Sequence, residues 1–213
     1  MTCKLAFINL EGQNAKTEEN FIRSLETLFI KKIDNIEIKY FKCNPIKNET
    51  KFNNRLDKTL NRWKPKKNTK NLKWYFFIII DLDKKEQQRN NKKIIETVKK
   101  IIEKSFEKHE PKTEIHFLCK ERKNIEDLLI YPLADCKGKN KKKDLNEKIA
   151  AKKHKANEYD HKIDPDLLAK ITNFKQIKNI EEVLENCKKK LQGSEYKCVF
   201  SLLLECYSKS NKK

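Results

Sequence analysis

Residues 74–80 form the feature that most constrains the fold of this chain. They are seven consecutive apolar or aromatic residues, WYFFIII, and Asp81-Leu82-Asp83 follows them directly. A strand with one face in water alternates apolar and polar residues, whereas an unbroken run of this kind is typical of a strand buried on both faces of a parallel sheet. In such sheets the working groups gather beyond the carboxyl ends of the strands. The run therefore predicts a central strand whose carboxyl end carries Asp81 and Asp83, two carboxylates that face the same way.

The apolar patterns elsewhere predict an α/β layer structure with a mainly parallel sheet flanked by helices. Further strands are predicted at residues 4–10, 36–43 and 114–119, the second of them near a sheet edge. Helical spacing marks residues 21–29, 52–63, 87–108, 164–174 and 180–191, and a helical segment is predicted to begin at residue 124. Residues 198–206 fit a helix or a strand. We expect an α/β domain over residues 1–135 and a lysine-rich helical extension, residues 136–213, packed on the same core.

The formal net charge is +19, from 50 Lys and Arg against 31 Asp and Glu. Such a field attracts polyanions, and the excess of Lys over Arg favours contact with phosphates over base recognition. Nucleic acid is the favoured partner. A codon bias toward Lys and Asn and an acidic membrane surface are the alternatives. The densest basic region is a predicted nucleic-acid-binding surface, or else a solvated loop; its lysines are Lys137, Lys139, Lys141, Lys142, Lys143, Lys152 and Lys153.

The cysteine pattern and the lack of long apolar runs indicate the cellular compartment of the protein. The seven cysteines form no C-x-x-C pair and are odd in number. This favours reduced, buried thiols in a cytoplasmic protein over a zinc site or a disulfide framework. The N-terminus does not resemble a signal peptide, and no apolar run approaches the length of a membrane span. We therefore expect a cytoplasmic protein without a membrane partner.

Carboxylates follow three of the predicted strands. Glu11 follows the first strand, Asp81 and Asp83 follow the central one, and Glu126 comes shortly after the last. Carboxylate oxygens suit Mg²⁺, and a metal held in a basic environment suits phosphodiester hydrolysis. The alternative is structural: an acid after a strand often caps the next helix, and Glu126 has the place of a solvated first-turn residue.

These residues resemble a known family. Leu10-Glu11-Gly12 and Ile80-Asp81-Leu82-Asp83, in this order at strand ends, resemble two motifs of TOPRIM domains. Residues 122–129, followed by Pro132, are similar to a segment of small stand-alone TOPRIM proteins and of OLD-like nucleases from phage-defence systems. The resemblance covers residues 4–135. The basic residue that some nuclease members carry after the last motif has no clear match here, and Lys139 and Lys143 are only candidates.

The resemblance implies a Rossmann-like TOPRIM fold with Mg²⁺ or Mn²⁺ at Glu11, Asp81 and Asp83. It also implies catalytic roles for these three residues and for Glu126. The expected function is a metal-dependent nuclease that hydrolyses DNA or RNA, with a role in phage defence. Two alternatives stay open: a non-catalytic, basic nucleic-acid-binding protein, and a toxin subunit gated by a partner such as an ATPase. A homodimer is compatible with each of them.

Overall fold

The computed structural model describes residues 2–10, 16–43, 49–64, 72–80, 87–106, 112–118, 126–136, 140–150 and 179–210. The chain divides into two compact units, and neither is continuous in sequence. The first unit comprises Met1–Ala15 and Asn35–Arg122, and the second comprises Lys16–Asp34 and Lys123–Lys213. The predicted boundary at residue 135 and the predicted packing of an extension on the same core stay predictions.

Among the described residues, the first unit contains four strands and two helices. Its elements are β1 (Thr2–Asn9), β2 (Ile36–Lys42), α2 (Glu49–Trp63), β3 (Leu72–Ile79), α3 (Gln87–Phe106) and β4 (Lys112–Phe117). The second unit contains α1 (Lys16–Leu28), a 3₁₀ turn (Ile30–Lys32), a π-helix (Glu126–Ile130), α4 (Tyr131–Leu133), α5 (Lys141–Ala150), α6 (Ile180–Lys190) and α7 (Lys197–Ser210). The predicted helix at residues 164–174 lies outside the described residues.

The sheet is parallel throughout and has the strand order β2-β1-β3-β4. This confirms the predicted α/β class, which is consistent with a Rossmann-like arrangement. The two inner strands are β1 and β3, and β3 contains the apolar run that predicted a central strand. The outer strand β2 alternates in sequence, and all of its residues except Phe41 are only half-buried. The strand lies at the edge of the sheet, as predicted. An edge strand has a neighbour on one side only, so it is less buried and can carry alternating polar residues.

One face of the sheet packs against α2 and α3. Every second residue of β1 and β3 points into this core, and the helices contribute apolar residues one turn apart: Ala6, Ile8, Leu10, Phe52, Leu56, Leu60, Trp74, Phe76, Ile78, Ile80, Val98, Ile102 and Phe106. Trp74 is wholly buried and stacks on Trp63 with ring centroids 6.4 Å apart. The intervening residues of the two strands, such as Phe7 and Phe77, are also buried. The central strand is therefore buried on both faces, as the unbroken apolar run predicted.

Helix α7 resolves the segment for which the sequence allowed a helix or a strand. The sequence pattern was ambiguous because VFSLLLEC is apolar on more than one side, and the helix accordingly buries Val199, Phe200, Leu203 and Leu204. Phe200 lies 6.4 Å from Phe21 and 6.1 Å from Phe29, measured between ring centroids. The last helix of the chain thus packs on the first within the second unit. Among the described helices, none is long and apolar enough to cross a membrane.

Candidate functional site

The four strands of the first unit end at nearly the same level. Asn9 of β1 is paired with Lys42 of β2 and with Ile79 of β3. Three backbone hydrogen bonds extend this pairing beyond the strands: Cys43 N–H to Asn9 O at 3.1 Å, Leu10 N–H to Ile79 O at 2.9 Å, and Leu118 N–H to Ile78 O at 2.9 Å. The carboxyl ends of the strands therefore form one continuous edge, which we call the carboxyl edge.

The strand order places a topological switch point between β1 and β3. From β1 the chain moves outward to β2, and from β3 it moves outward in the opposite direction to β4. In open parallel sheets the crevice beyond such a pair of strand ends is the usual place for a ligand. The structure thus directs attention to the residues that follow Leu10 and Ile80.

Those residues are Glu11 and Asp81. Together with Asp83 they lie outside the described residues, so their grouping into one site stays a prediction. Among the described residues, no group of three or more His, Cys, Asp or Glu side chains is arranged to hold a metal ion. The three predicted ligands are not among those residues.

Glu126 is the first residue of the π-helix in the second unit. The sequence predicted a helical segment here without indicating its type. π-Helices are rare and occur frequently at functional sites. The neighbouring carboxylate of Asp127 accepts a hydrogen bond from Lys141 Nζ at 2.9 Å. The second unit therefore joins Asp127 to the first lysine of α5. The grouping of Glu126 with Asp81 and Asp83 stays a prediction.

The predicted nucleic-acid-binding lysines are only partly described. Lys137, Lys139, Lys152 and Lys153 lie outside the described residues. Lys141 pairs with Asp127, and its Nζ also lies 5.7 Å from the centroid of the Tyr131 ring. Lys142 and Lys143 are exposed. The solvated-loop interpretation of this region is wrong for residues 141–143, because they form the first turn of α5. The sequence did not show this helix because its apolar periodicity is weak.

The turn after α4 is held by two further lysines. Lys148 Nζ donates to the carbonyl oxygens of Ala134 at 3.1 Å and Asp135 at 2.8 Å. Lys190 Nζ donates to Leu133 O at 3.0 Å and lies 2.6 Å from the carboxylate of Asp135. Asp135 has a φ of 55° and lies where the helix has ended, and the last carbonyls of a helix have no intrahelical partners. These lysines stabilise the fold, so part of the basic charge has a structural role.

Replacing Lys190 by methionine should lower the free energy of unfolding by about 1–2 kcal/mol, because the Leu133 carbonyl and the Asp135 carboxylate would lose a charged donor. Lys190 is 23% exposed, and its neighbour Lys189 is exposed. Lys189→Met removes the same charge and is the control. Urea unfolding followed by circular dichroism measures both variants. Equal midpoints for the two would contradict the structural role.

Sequence reasoning missed two residues at the carboxyl edge. Asn9 is wholly buried at the end of β1, and it is the single polar residue in the run AFINL, which is a visible signal. Arg55 of α2 donates to the sulfur of Cys43 at 3.5 Å, just after β2 ends. Nothing in the local sequence links Arg55 to Cys43, because the contact depends on how α2 packs against the sheet.

Cys187 and Cys198, two thiols of the second unit, are unsuited to nucleophilic chemistry. Burial raises the pKa of Cys187 and that of Cys198 to about 12. Both therefore stay protonated near neutral pH, and thiols rather than thiolates are poor nucleophiles. Cys119 lies outside the described residues. Among the described cysteines, Cys3, Cys136, Cys187 and Cys206 are buried free thiols, as expected, whereas Cys43 and Cys198 are half-buried.

No family model, no curated protein and no solved structure matches this chain.

Proposed function

We propose that the chain is a metal-dependent nuclease of the TOPRIM type, which hydrolyses phosphodiester bonds in DNA or RNA in the cytoplasm and serves phage defence. One observation carries the proposal. Strands β1 and β3, which end two residues before Glu11 and Asp81, are parallel neighbours at the switch point of the sheet.

The register makes this observation specific. Leu10 N–H donates a hydrogen bond to Ile79 O. In the sequence, Glu11 follows Leu10 and Asp81 follows Ile80. Consecutive Cα atoms are about 3.8 Å apart, and each of these two acids is one peptide bond from the last described residue of its segment, Leu10 or Ile80. A chain that uses the switch point for chemistry needs its reactive groups there, and this chain carries acids after both strands.

The donor set suits a hard divalent cation. Glu11, Asp81 and Asp83 would supply carboxylate oxygens, which Mg²⁺ and Mn²⁺ prefer. When bound, the ion would neutralise charge on a phosphate and lower the pKa of a bound water. Glu11 would handle protons or share the metal, and Glu126 would match the acidic residue of the later motif. Lys142 and Lys143, exposed on α5, would attract the phosphate backbone together with the other lysines of the predicted surface.

A non-catalytic, basic nucleic-acid-binding protein is the second candidate, and the net charge of +19 favours it. The two candidates share the partner and differ in the role of the acids. The binder needs neither Glu11 nor Asp81. A nuclease that acts only with an activating subunit, such as an ATPase, would behave as the binder when it is purified alone.

The test is cleavage of labelled single-stranded and double-stranded DNA and RNA with Mg²⁺ or Mn²⁺. Wild type should cleave at least one substrate, and Glu11→Ala and Asp81→Ala should each reduce the rate more than about 100-fold. Asp57→Ala, an exposed acid on α2, is the control and should cleave like wild type. Equal cleavage in all variants would overturn the site. Binding without cleavage, even with candidate activating subunits added, would favour the binder.

A further inference from the structure

Helix α2 carries a row of basic side chains that no functional assignment above uses. Lys51, Arg55, Lys58 and Arg62 are spaced four, three and four residues apart, so they lie along one side of the helix. All four are exposed. We call them the α2 basic stripe. At a rise of 1.5 Å per residue the stripe is about 16 Å long. Phe52, Leu56 and Leu60 form the buried side of the same helix.

Around Arg55 the stripe meets no acid of its own helix. No carboxylate stands three or four residues from Arg55 within α2, where the positions are Lys51, Phe52, Lys58 and Thr59. Among the residues that the structure describes, no ion pair joins Arg55, Lys58 or Arg62 to a carboxylate. Like charges at this spacing repel one another, so an anion bound along the stripe would relieve the repulsion.

The exposed lysines of the neighbouring helix α3 show the opposite arrangement. Glu96 and Glu103 alternate with them, and Lys99 lies 3.7 Å from Glu103. The two helices also differ in the type of basic residue that they carry. The chain contains only five arginines, and two of them belong to the stripe. A codon bias toward lysine does not account for arginine, whose planar guanidinium is suited to bidentate contact with phosphate.

Arg55, the second residue of the stripe, is fixed near the carboxyl edge. The guanidinium of Arg55 contacts the sulfur of Cys43, and the Cys43 N–H is bonded to the carbonyl of Asn9 on β1. Neighbouring strands are about 4.8 Å apart, so Arg55 is anchored one strand away from the switch point. Arg62 lies two helical turns further along, about 10 Å from Arg55.

We propose that the α2 basic stripe binds the phosphate backbone of a nucleic acid strand whose continuation reaches the carboxyl edge. The choice of partner rests on the proposed function. The contact is electrostatic and independent of base sequence, because the stripe offers cations along a helix and no set of groups that reads base edges.

The test measures equilibrium binding of labelled DNA and RNA oligonucleotides in EDTA, so that hydrolysis does not interfere, at several salt concentrations. The stripe variant carries Lys51→Gln, Arg55→Gln, Lys58→Gln and Arg62→Gln. The matched control removes four exposed lysines of α3 by Lys92→Gln, Lys99→Gln, Lys100→Gln and Lys104→Gln. Both variants lose four positive charges, so a difference between them reports position and not net charge. Circular dichroism checks that each variant is folded.

We expect the stripe variant to bind at least about tenfold more weakly at low salt. Its slope of log affinity against log salt should be shallower by roughly 0.7–0.9 for each lost phosphate contact, and the control should keep most of the wild-type slope. Equal losses in the two variants would overturn the inference. A wild type that binds no nucleic acid would also overturn it. So would a stripe variant that keeps its binding to nucleic acid and loses binding only to phosphatidylserine vesicles. Should the fourfold variant not fold, Arg55→Gln and Arg62→Gln are measured singly, and unchanged slopes in both would overturn it.

This outcome is separable from that of the proposed function. Metal-dependent cleavage that requires Glu11 and Asp81 would support the nuclease. If the stripe variant then binds nucleic acid like wild type, the inference about the stripe is rejected. A stripe variant with a shallower salt dependence, together with a wild type that cleaves no substrate, would support the stripe. The function would then be that of the non-catalytic binder.

Discussion

Replacing Phe76 by alanine should lower the free energy of unfolding by about 3–5 kcal/mol, among the largest effects that one substitution in this chain will have. Phe76 lies in the middle of β3 and is wholly buried. Its ring centroid is 5.6 Å from that of Trp74 and 5.2 Å from that of Phe106. The shortened side chain would leave a cavity between the central strand and α3, and a well-packed core closes such a cavity only in part.

Urea unfolding followed by circular dichroism and tryptophan fluorescence measures this loss. Phe76→Leu keeps the site apolar and retains more of the side-chain volume, so it should cost clearly less. Lys99→Ala, an exposed change on α3, should stay within about 0.5 kcal/mol of wild type. A Phe76→Ala loss below about 1 kcal/mol would show that this strand is not the centre of the core.

Replacing Phe200 by alanine should destabilise the second unit by a similar amount, about 3–5 kcal/mol. Phe200 is wholly buried in α7, and its neighbours Phe21 and Phe29 come from the segment of the unit that lies near the start of the chain. The Ser210 hydroxyl adds a 3.2 Å hydrogen bond to the carbonyl of Asp34 at the end of that segment. The substitution therefore removes a contact between two segments that are far apart in sequence.

Glu205→Ala is the control because it lies on the same helix and changes only an exposed pair with Lys209, which is worth little. Hydrogen exchange of the α1 amides gives a second readout. It should quicken in Phe200→Ala and stay unchanged in Glu205→Ala. Unchanged α1 protection in both variants would contradict the role of Phe200 in holding α1.

The strands were predictable because their signal is local. The run over residues 74–80 predicted a strand buried on both faces, and the alternation of residues 36–43 predicted an edge strand; both predictions are confirmed. The observed boundaries differ from the predicted ones by a few residues, since helix and strand ends are set by hydrogen bonds and caps and not by apolar spacing.

Features that depend on distant contacts were not predictable in this way. The first turn of α5, residues 141–143, was open to interpretation as a loop because consecutive lysines carry no apolar period, yet Lys141 is held by Asp127. The position of Arg55 beside Cys43 depends on how α2 packs on the sheet. For the candidate site, the strand ends next to Glu11 and Asp81 were predictable, and the roles of the acids themselves stay predictions.

The discontinuity of the second unit has a consequence for biosynthesis. Phe21 and Phe29 leave the ribosome about 170 residues before Phe200, their partner in α7. At the usual elongation rates of roughly 5–20 residues per second, the nascent chain carries these aromatic rings without that partner for about 10–30 s. During this time they are candidates for chaperone binding or for aggregation. A premature stop codon before residue 197 would make that condition permanent, and we expect such truncated chains to be cleared by proteolysis.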